Sequence, residues 1–341
     1  MRGAKYIGDR GVVLREIPKP EPKDDWVVVR VKASALCGTD LPFYRGQGDT
    51  LGDCIPGHEI AGQVVEVDRA RRVKPGDRVV LNTQVGCGHC QFCRGGFVLF
   101  CPQMQTAGLG EGLHGGHADF VLIPEKDCLP LPDEISYLVG SVIPDGVGVP
   151  YHLLRRMGGV SGLDKVAVFG AGPIGLGMVA MLKYMGAGMI VVSDLSDYRR
   201  QLAEKLGADR TIDPQVENPV ELILSLTEGV GVDKAIDAAG HTDVTTNQAL
   251  ISVKKGGTVG LVGQKDAVTI KEYTHQLIHK ELHLVSSCGY NLSEYESLVA
   301  AVRNGLNAPG LITHEYPLEE IQTAFQVFDS GNTGKVVISR Q

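Results

Sequence analysis

Val166-Ala167-Val168-Phe169-Gly170-Ala171-Gly172-Pro173-Ile174-Gly175 decides how this chain folds. The first four residues are the β-branched and aromatic run of a short buried strand, and the apolar pattern from Ile174 to Met185 predicts a helix. Between them, Gly170 makes the tight turn, Gly172 lets the backbone approach a pyrophosphate, and Gly175 allows close helix–strand packing. The helix N-terminus then attracts the anion. Glycines at this spacing also occur in ordinary turns, so the surroundings decide. Strand Ile190–Ser193, helix Tyr198–Leu206, a short strand near Thr211, and strands Lys234–Ile236, Thr258–Val262 and His283–Ser286 follow, with helices between them. Such alternation implies a doubly wound parallel sheet.

Asp194 ends the strand after the glycine-rich turn, 19 residues beyond Gly175. A carboxylate there accepts hydrogen bonds from the adenosine ribose hydroxyls and repels a 2′-phosphate, which favours NAD over NADP. It can equally cap the helix that follows. Arg199 and Arg200 could each meet a phosphate; packing of one along the adenine and solvation of the other is the expected arrangement.

Towards the N-terminus the grammar differs. Val27–Val31, Gly62–Val67 and Asp77–Leu81 are short β-branched strands separated by turns such as Lys74-Pro75-Gly76-Asp77. The tail Gly334-Lys335-Val336-Val337-Ile338 reads as a strand that returns to this first domain. A chain of 341 residues with 43% hydrophobic residues can bury two cores. The net charge of −7 without a basic run argues against nucleic acid. Neither a signal peptide nor a membrane-spanning apolar stretch is visible, and eight cysteines suit a reducing compartment, so the expected setting is the cytoplasm.

Four of those cysteines, Cys87, Cys90, Cys93 and Cys101, share a glycine-softened loop. Thiolates at this spacing can close a tetrahedron around zinc, whereas disulfide scaffolds are usually far smaller chains. A closed four-sulfur shell leaves no position for a substrate. Cys37-Gly38-Thr39-Asp40, Pro56-Gly57-His58-Glu59 and Ile143-Pro144-Asp145-Gly146 hold a second set of donors, a sulfur, an imidazole and an oxygen. Spacing alone does not join these three, and a lone Cys or His is more often structural.

Taken together and in this order, these segments resemble the zinc-dependent medium-chain dehydrogenases, which include alcohol, sorbitol and threonine dehydrogenases. The resemblance spans nearly the whole chain, through Gly115-Gly116-His117-Ala118-Asp119-Phe120 to the closing Gly334-Lys335-Val336-Val337. It implies an α/β protein: a GroES-like β-rich catalytic domain over 1–147, completed by 289–341, and a Rossmann NAD domain over 148–288. It further implies that Cys37, His58 and Asp145 bind a catalytic zinc, with Glu59 either binding zinc or exchanging with water. Asp40 orients the zinc-bound imidazole, Thr39 takes the substrate proton, and Cys87, Cys90, Cys93 and Cys101 hold a structural zinc. Val262 and Gly263 approach the nicotinamide.

The implied activity is reversible, NAD-linked oxidation of a polyol or other secondary alcohol. The carboxylate at Asp145 and the Cys-Gly-Thr-Asp motif resemble the sugar-alcohol branch more than the ethanol branch. Many relatives carry a relay histidine where this chain has Pro42, and threonine dehydrogenases use it, which counts against threonine. His152 and Tyr44 are possible substitutes, although packing explains each more simply, and His114 and His117 are candidates for the pocket wall. Threonine or amino-alcohol oxidation, carbonyl reduction and a non-catalytic zinc and nucleotide sensor are the competing readings. A homotetramer is expected, with a dimer as the alternative.

Overall fold

The structure is a computed structural model that describes residues 1–47, 51–110, 112–240 and 242–340. The chain divides into two compact units. The first comprises Met1–Pro144, Asn291–Arg303 and Ile312–Gln341, and the second comprises Asp145–Tyr290 and Asn304–Leu311.

The first unit is built on a seven-stranded sheet in the order Ile312–Pro317, Lys335–Ser339, Trp26–Ala35, Glu59–Glu66, Arg78–Leu81 and Cys128–Pro130, with Phe120–Pro124 paired to Trp26–Ala35 off this path. Its long strand Trp26–Ala35 is buried on both faces along most of its length, as its run of valines demands. That strand shares one edge between two partners. Trp26–Arg30 pair with Phe120–Pro124, and Ala33–Ala35 with Val337–Ser339, both antiparallel. The tail therefore pairs with the central strand of this sheet. Val27, Val29, Val31, Ile60, Val64, Leu81, Val121 and Ile123 form one core. A second core gathers Tyr6, Tyr44 and Phe325 against helix Ile321–Asp329.

The second unit is a six-stranded parallel sheet in the order Arg210–Ile212, Met189–Ser193, Lys165–Phe169, Val232–Asp237, Val253–Leu261, His283–Ser286. Strand order reverses beside Lys165–Phe169, and in such sheets the crevice at that reversal is where ligands bind. The helix after the glycine-rich turn spans Pro173–Met185, with Gly172 as N-cap and Pro at the first helical position. Gly170 has φ +95°, which a side chain would strain. A Cβ on Gly175 would collide with the carbonyl of Gly170. The two glycines thus make one tight turn between strand and helix.

Candidate functional site

The quieter donor set comes together in the first unit. Strand Trp26–Ala35 delivers Cys37 to the start of the short 3-10 turn Gly38–Asp40. His58 immediately precedes strand Glu59–Glu66, and its carbonyl accepts the Thr83 hydroxyl at 2.8 Å. Cys37, His58 and Glu59 each offer one ligand atom, and these atoms lie within 4.8 Å of one another. Sulfur, imidazole and carboxylate so close together form a donor set that suits zinc.

The surrounding groups hold this set in place. Asp40 is fully buried; its Oδ2 accepts the Cys37 backbone N–H at 2.9 Å, and its Oδ1 lies 3.8 Å from His58 Nδ1. Burial pushes its carboxyl up, while His58 pulls the other way. The Thr39 hydroxyl is 3.3 Å from His58 Nε2. Glu59 forms an ion pair with Lys335, both side chains being 0% exposed. Sequence reasoning missed Lys335. The available signal was a lysine heading the Val336-Val337-Ile338 run, a charge that needs a buried partner. Asp145 is the first residue of the second unit, in the π-helical turn Ile143–Gly148, directly after Pro144 of the first.

The four-cysteine loop gathers its sulfurs within 4.8 Å of one another. None of the eight cysteines is in a disulfide, and Cys87 and Cys93 sulfurs are 4.0 Å apart, which excludes a disulfide between them. Backbone N–H groups of Cys87, Cys90, Cys93 and Gln103 donate to the loop's sulfurs, each at 3.4 Å. Amide donors at His89 and Cys90 draw the Cys87 thiol down to about 6. Burial and the neighbouring sulfurs push Cys93 up to about 12. Four crowded thiols cannot all ionise without a cation among them, and a bound divalent ion reverses that preference.

In the second unit, Asp194 follows strand Met189–Ser193 and folds back onto the turn. Its Oδ2 accepts the Ala171 N–H at 2.6 Å and its Oδ1 the Ser196 N–H at 2.8 Å. Ser196, not Asp194, caps helix Asp197–Leu206. Burial draws the Arg199 guanidinium down against the pull of Asp194, and its Nη1 lies 4.0 Å from where a Cβ on Gly172 would stand. Arg199 is therefore at the glycine-rich turn. Arg200 is not solvated as expected. It is only 13% exposed, lies 3.0 Å from Asp213 and donates to the Asp194 carbonyl at 2.8 Å. Val262 and Gly263 both donate backbone N–H bonds of 3.0 Å to the Asp237 carbonyl, fixing that strand end. A buried Lys265–Asp237 pair, with Thr246 donating to Asp237, braces it from below and was not foreseen.

Two expected wall or relay residues belong elsewhere. Tyr44 is 0% exposed and stacks on Phe325 with ring centres 5.0 Å apart, so it is core. His117 is also fully buried, its Nδ1 2.9 Å from the Ser34 hydroxyl. His152 is half-buried on helix Val149–Arg156 of the second unit.

Residues 23–133 match the model of the alcohol dehydrogenase GroES-like domain, and residues 173–304 that of the zinc-binding dehydrogenases. The chain is 30% identical over 342 residues to L-threonine 3-dehydrogenase of Pseudoalteromonas translucida (strain TAC 125), covering 98% of each. Among solved structures, alcohol dehydrogenase TADH from Thermus sp. ATN1 superposes with a TM-score of 0.93 at 29% identity, covering 100% of both chains. 2R,3R-butanediol dehydrogenase from Bacillus subtilis gives 0.89 at 28% identity, covering 100% of this chain and 99% of that one.

Proposed function

Because the chain belongs to the zinc-dependent medium-chain dehydrogenases, and is thus an oxidoreductase acting on CH–OH groups, we propose that it oxidises a secondary alcohol bearing a second polar group on the neighbouring carbon, with NAD as hydride acceptor. L-threonine at its 3-position and 2,3-butanediol, the substrates that two relatives' names carry, share that pattern. A polyol has it too. The observation that carries the reading is the convergence of Cys37, His58 and Glu59.

In this reading Cys37, His58 and Asp145 hold the catalytic zinc, and Cys87, Cys90, Cys93 and Cys101 the structural one. Zinc, when bound, supplies the positive charge that acidifies a coordinated alcohol. Three protein ligands leave the fourth position open, as catalytic zinc sites require. Glu59, paired with Lys335, would either bind the metal or exchange with water there. Asp40 orients the His58 ring through Nδ1, which leaves Nε2 for the metal. Thr39 takes the substrate proton, and since Pro42 follows, the proton leaves through water or a cofactor hydroxyl. Asp194 receives the ribose hydroxyls of NAD, and Gly170, Gly172, Pro173, Ile174 and Gly175 seat the pyrophosphate on the helix N-terminus. Val262 and Gly263 border the nicotinamide, and Arg199 the adenine end. Among the described residues no helix is long and apolar enough to cross a membrane, and a cytoplasmic homotetramer completes the reading.

The test is Cys37→Ser. Wild-type protein should carry two zinc ions per chain by mass spectrometry and oxidise members of a panel of polyols, diols and amino alcohols with NAD. The variant should carry one zinc and fall to background. Oxidation that survives loss of that zinc would refute the assignment.

A further inference from the structure

The first unit carries a polar cleft that this chemistry does not use. Its volume is about 650 Å³, within the range of small-ligand sites. It opens where strand Trp26–Ala35 exchanges Phe120–Pro124 for Lys335–Ser339 along one edge. At that gap the Val31 N–H donates to the Asp119 carbonyl at 3.0 Å, and the Arg340 N–H to the Lys32 carbonyl at 2.9 Å.

Three arginines and three carboxylates line the cleft, but they do not pair evenly. Arg2 takes two of the acids. Its Nη2 is 2.9 Å from Asp119 Oδ1, its backbone N–H donates to Asp119 Oδ2 at 2.7 Å, and its Nη1 pairs with Glu319. Among the described residues Arg30 and Arg340 form no ion pair within 4.0 Å; Asp119 and Glu319 act on Arg340 only from further off, and the third acid of the cleft, Glu315, is exposed. Arg30 lies over the Phe120 ring, 5.5 Å from its centre. Arg340 donates from Nη2 to the Gly116 carbonyl at 3.2 Å, while its Nε and Nη1 are enclosed without an acceptor among the described residues. Burial draws its guanidinium down to about 10, with Asp119 opposing. A cation enclosed in this way is costly until an acceptor reaches it.

We propose that this cleft binds a small oxyanion, the carboxylate or phosphate group of a metabolite, through Arg340 and Arg30, with Glu315 limiting the charge it tolerates. Binding turns the Arg340 guanidinium from the Gly116 carbonyl towards the ligand. That carbonyl belongs to a segment tied to the metal centre. Gly116 and His117 donate to the carbonyls of Gly57 and Pro56 at 2.8 and 2.9 Å, and the His117 ring fills the space where a Cβ on Gly57 would come within 2.6 Å of it. An occupied cleft therefore acts on the turn that carries His58.

The experiment titrates inorganic phosphate, and separately succinate, into the zinc-loaded full chain at constant ionic strength, reading melting temperature and calorimetric Kd. At least one anion should raise the melting temperature saturably. Saturation by phosphate alone assigns a phosphoryl ligand, by succinate alone a carboxylate, and by both a site that reads charge. Arg340→Gln should weaken binding roughly tenfold or more, the equivalent of one lost charge-assisted hydrogen bond. Glu315→Gln should tighten it and Arg30→Gln should weaken it; this pair decides the matter if Arg340→Gln does not fold. A linear, non-saturating response to both anions, or a Kd unchanged in the variants that fold, overturns the proposal.

Discussion

Replacing Lys335 by Met takes away the buried cation paired with Glu59. Both side chains are 0% exposed, so bulk water does not take the place of the lost ammonium. Removing one member of a buried pair costs about 3–5 kcal/mol, well above the loss of an exposed pair. For a unit of this size each kcal/mol moves the melting temperature by roughly 2–4 °C, so the variant should melt about 6–20 °C lower. The assay is differential scanning calorimetry of wild type, Lys335→Met, Glu59→Gln and the double variant, with zinc in excess throughout. The double variant should recover most of the loss, because it removes the charge that the single variant leaves unpaired. A fall of less than about 2 °C, or a double variant no more stable than the single one, would show that the pair does not carry this cost.

Cys101→Ser should lower zinc content from two to one per chain while leaving dinucleotide binding intact; metal analysis beside fluorescence titration with NADH checks this, and unchanged zinc content would count against the four-sulfur site. Asp194→Ala should weaken NAD about tenfold to hundredfold, the worth of a hydrogen bond to a charged acceptor. Because Asp194 also accepts the Ala171 N–H, part of the loss is common to NAD and NADP, so the ratio of the two affinities is the readout and an unchanged ratio defeats the assignment. Stability should also depend on His117, whose imidazole is held neutral well below its usual range by burial and, next, by Arg340. The unfolded chain binds that proton below about pH 6.5 while the folded chain does not, so stability is unaffected above that pH and falls as pH drops through it. The slope is at most about 1.4 kcal/mol per pH unit. His117→Gln should remove that slope from urea denaturation curves taken between about pH 6.5 and pH 5; an identical slope in both proteins would refute it.

What could be read from the chain alone follows from how local each requirement is. Gly170 and Gly175 are needed by the sterics of one turn, so the dinucleotide unit was legible within ten residues. The cysteine loop is similarly local. Long-range pairings were not legible, because no local pattern ties Glu59 to Lys335, or Arg2 to Asp119 and Glu319. Tyr44 and His117 were misplaced for the opposite reason. Each stands near a site motif in sequence, but strand and turn geometry directs Tyr44 against Phe325 and His117 beneath Gly57. Aromatic and imidazole rings serve cores as readily as pockets, and composition does not separate the two. Arg200 was expected in solvent because arginines usually are, but Asp213 reaches it from the following strand–loop segment.

Sharing one edge of strand Trp26–Ala35 between Phe120–Pro124 and Lys335–Ser339 has a consequence for synthesis on the ribosome. The stretch Val336–Ile338 is made some 300 residues after strand Trp26–Ala35, and the lysine that neutralises Glu59 follows it by 276 residues. Until then the first unit exposes part of its central strand, and Glu59 lacks the ammonium of Lys335. The dinucleotide unit has most of its length between the two parts, so it can form while the first unit is incomplete. Deleting residues from Gly334 onward should therefore leave a nucleotide-binding unit joined to an aggregation-prone sheet that has not closed.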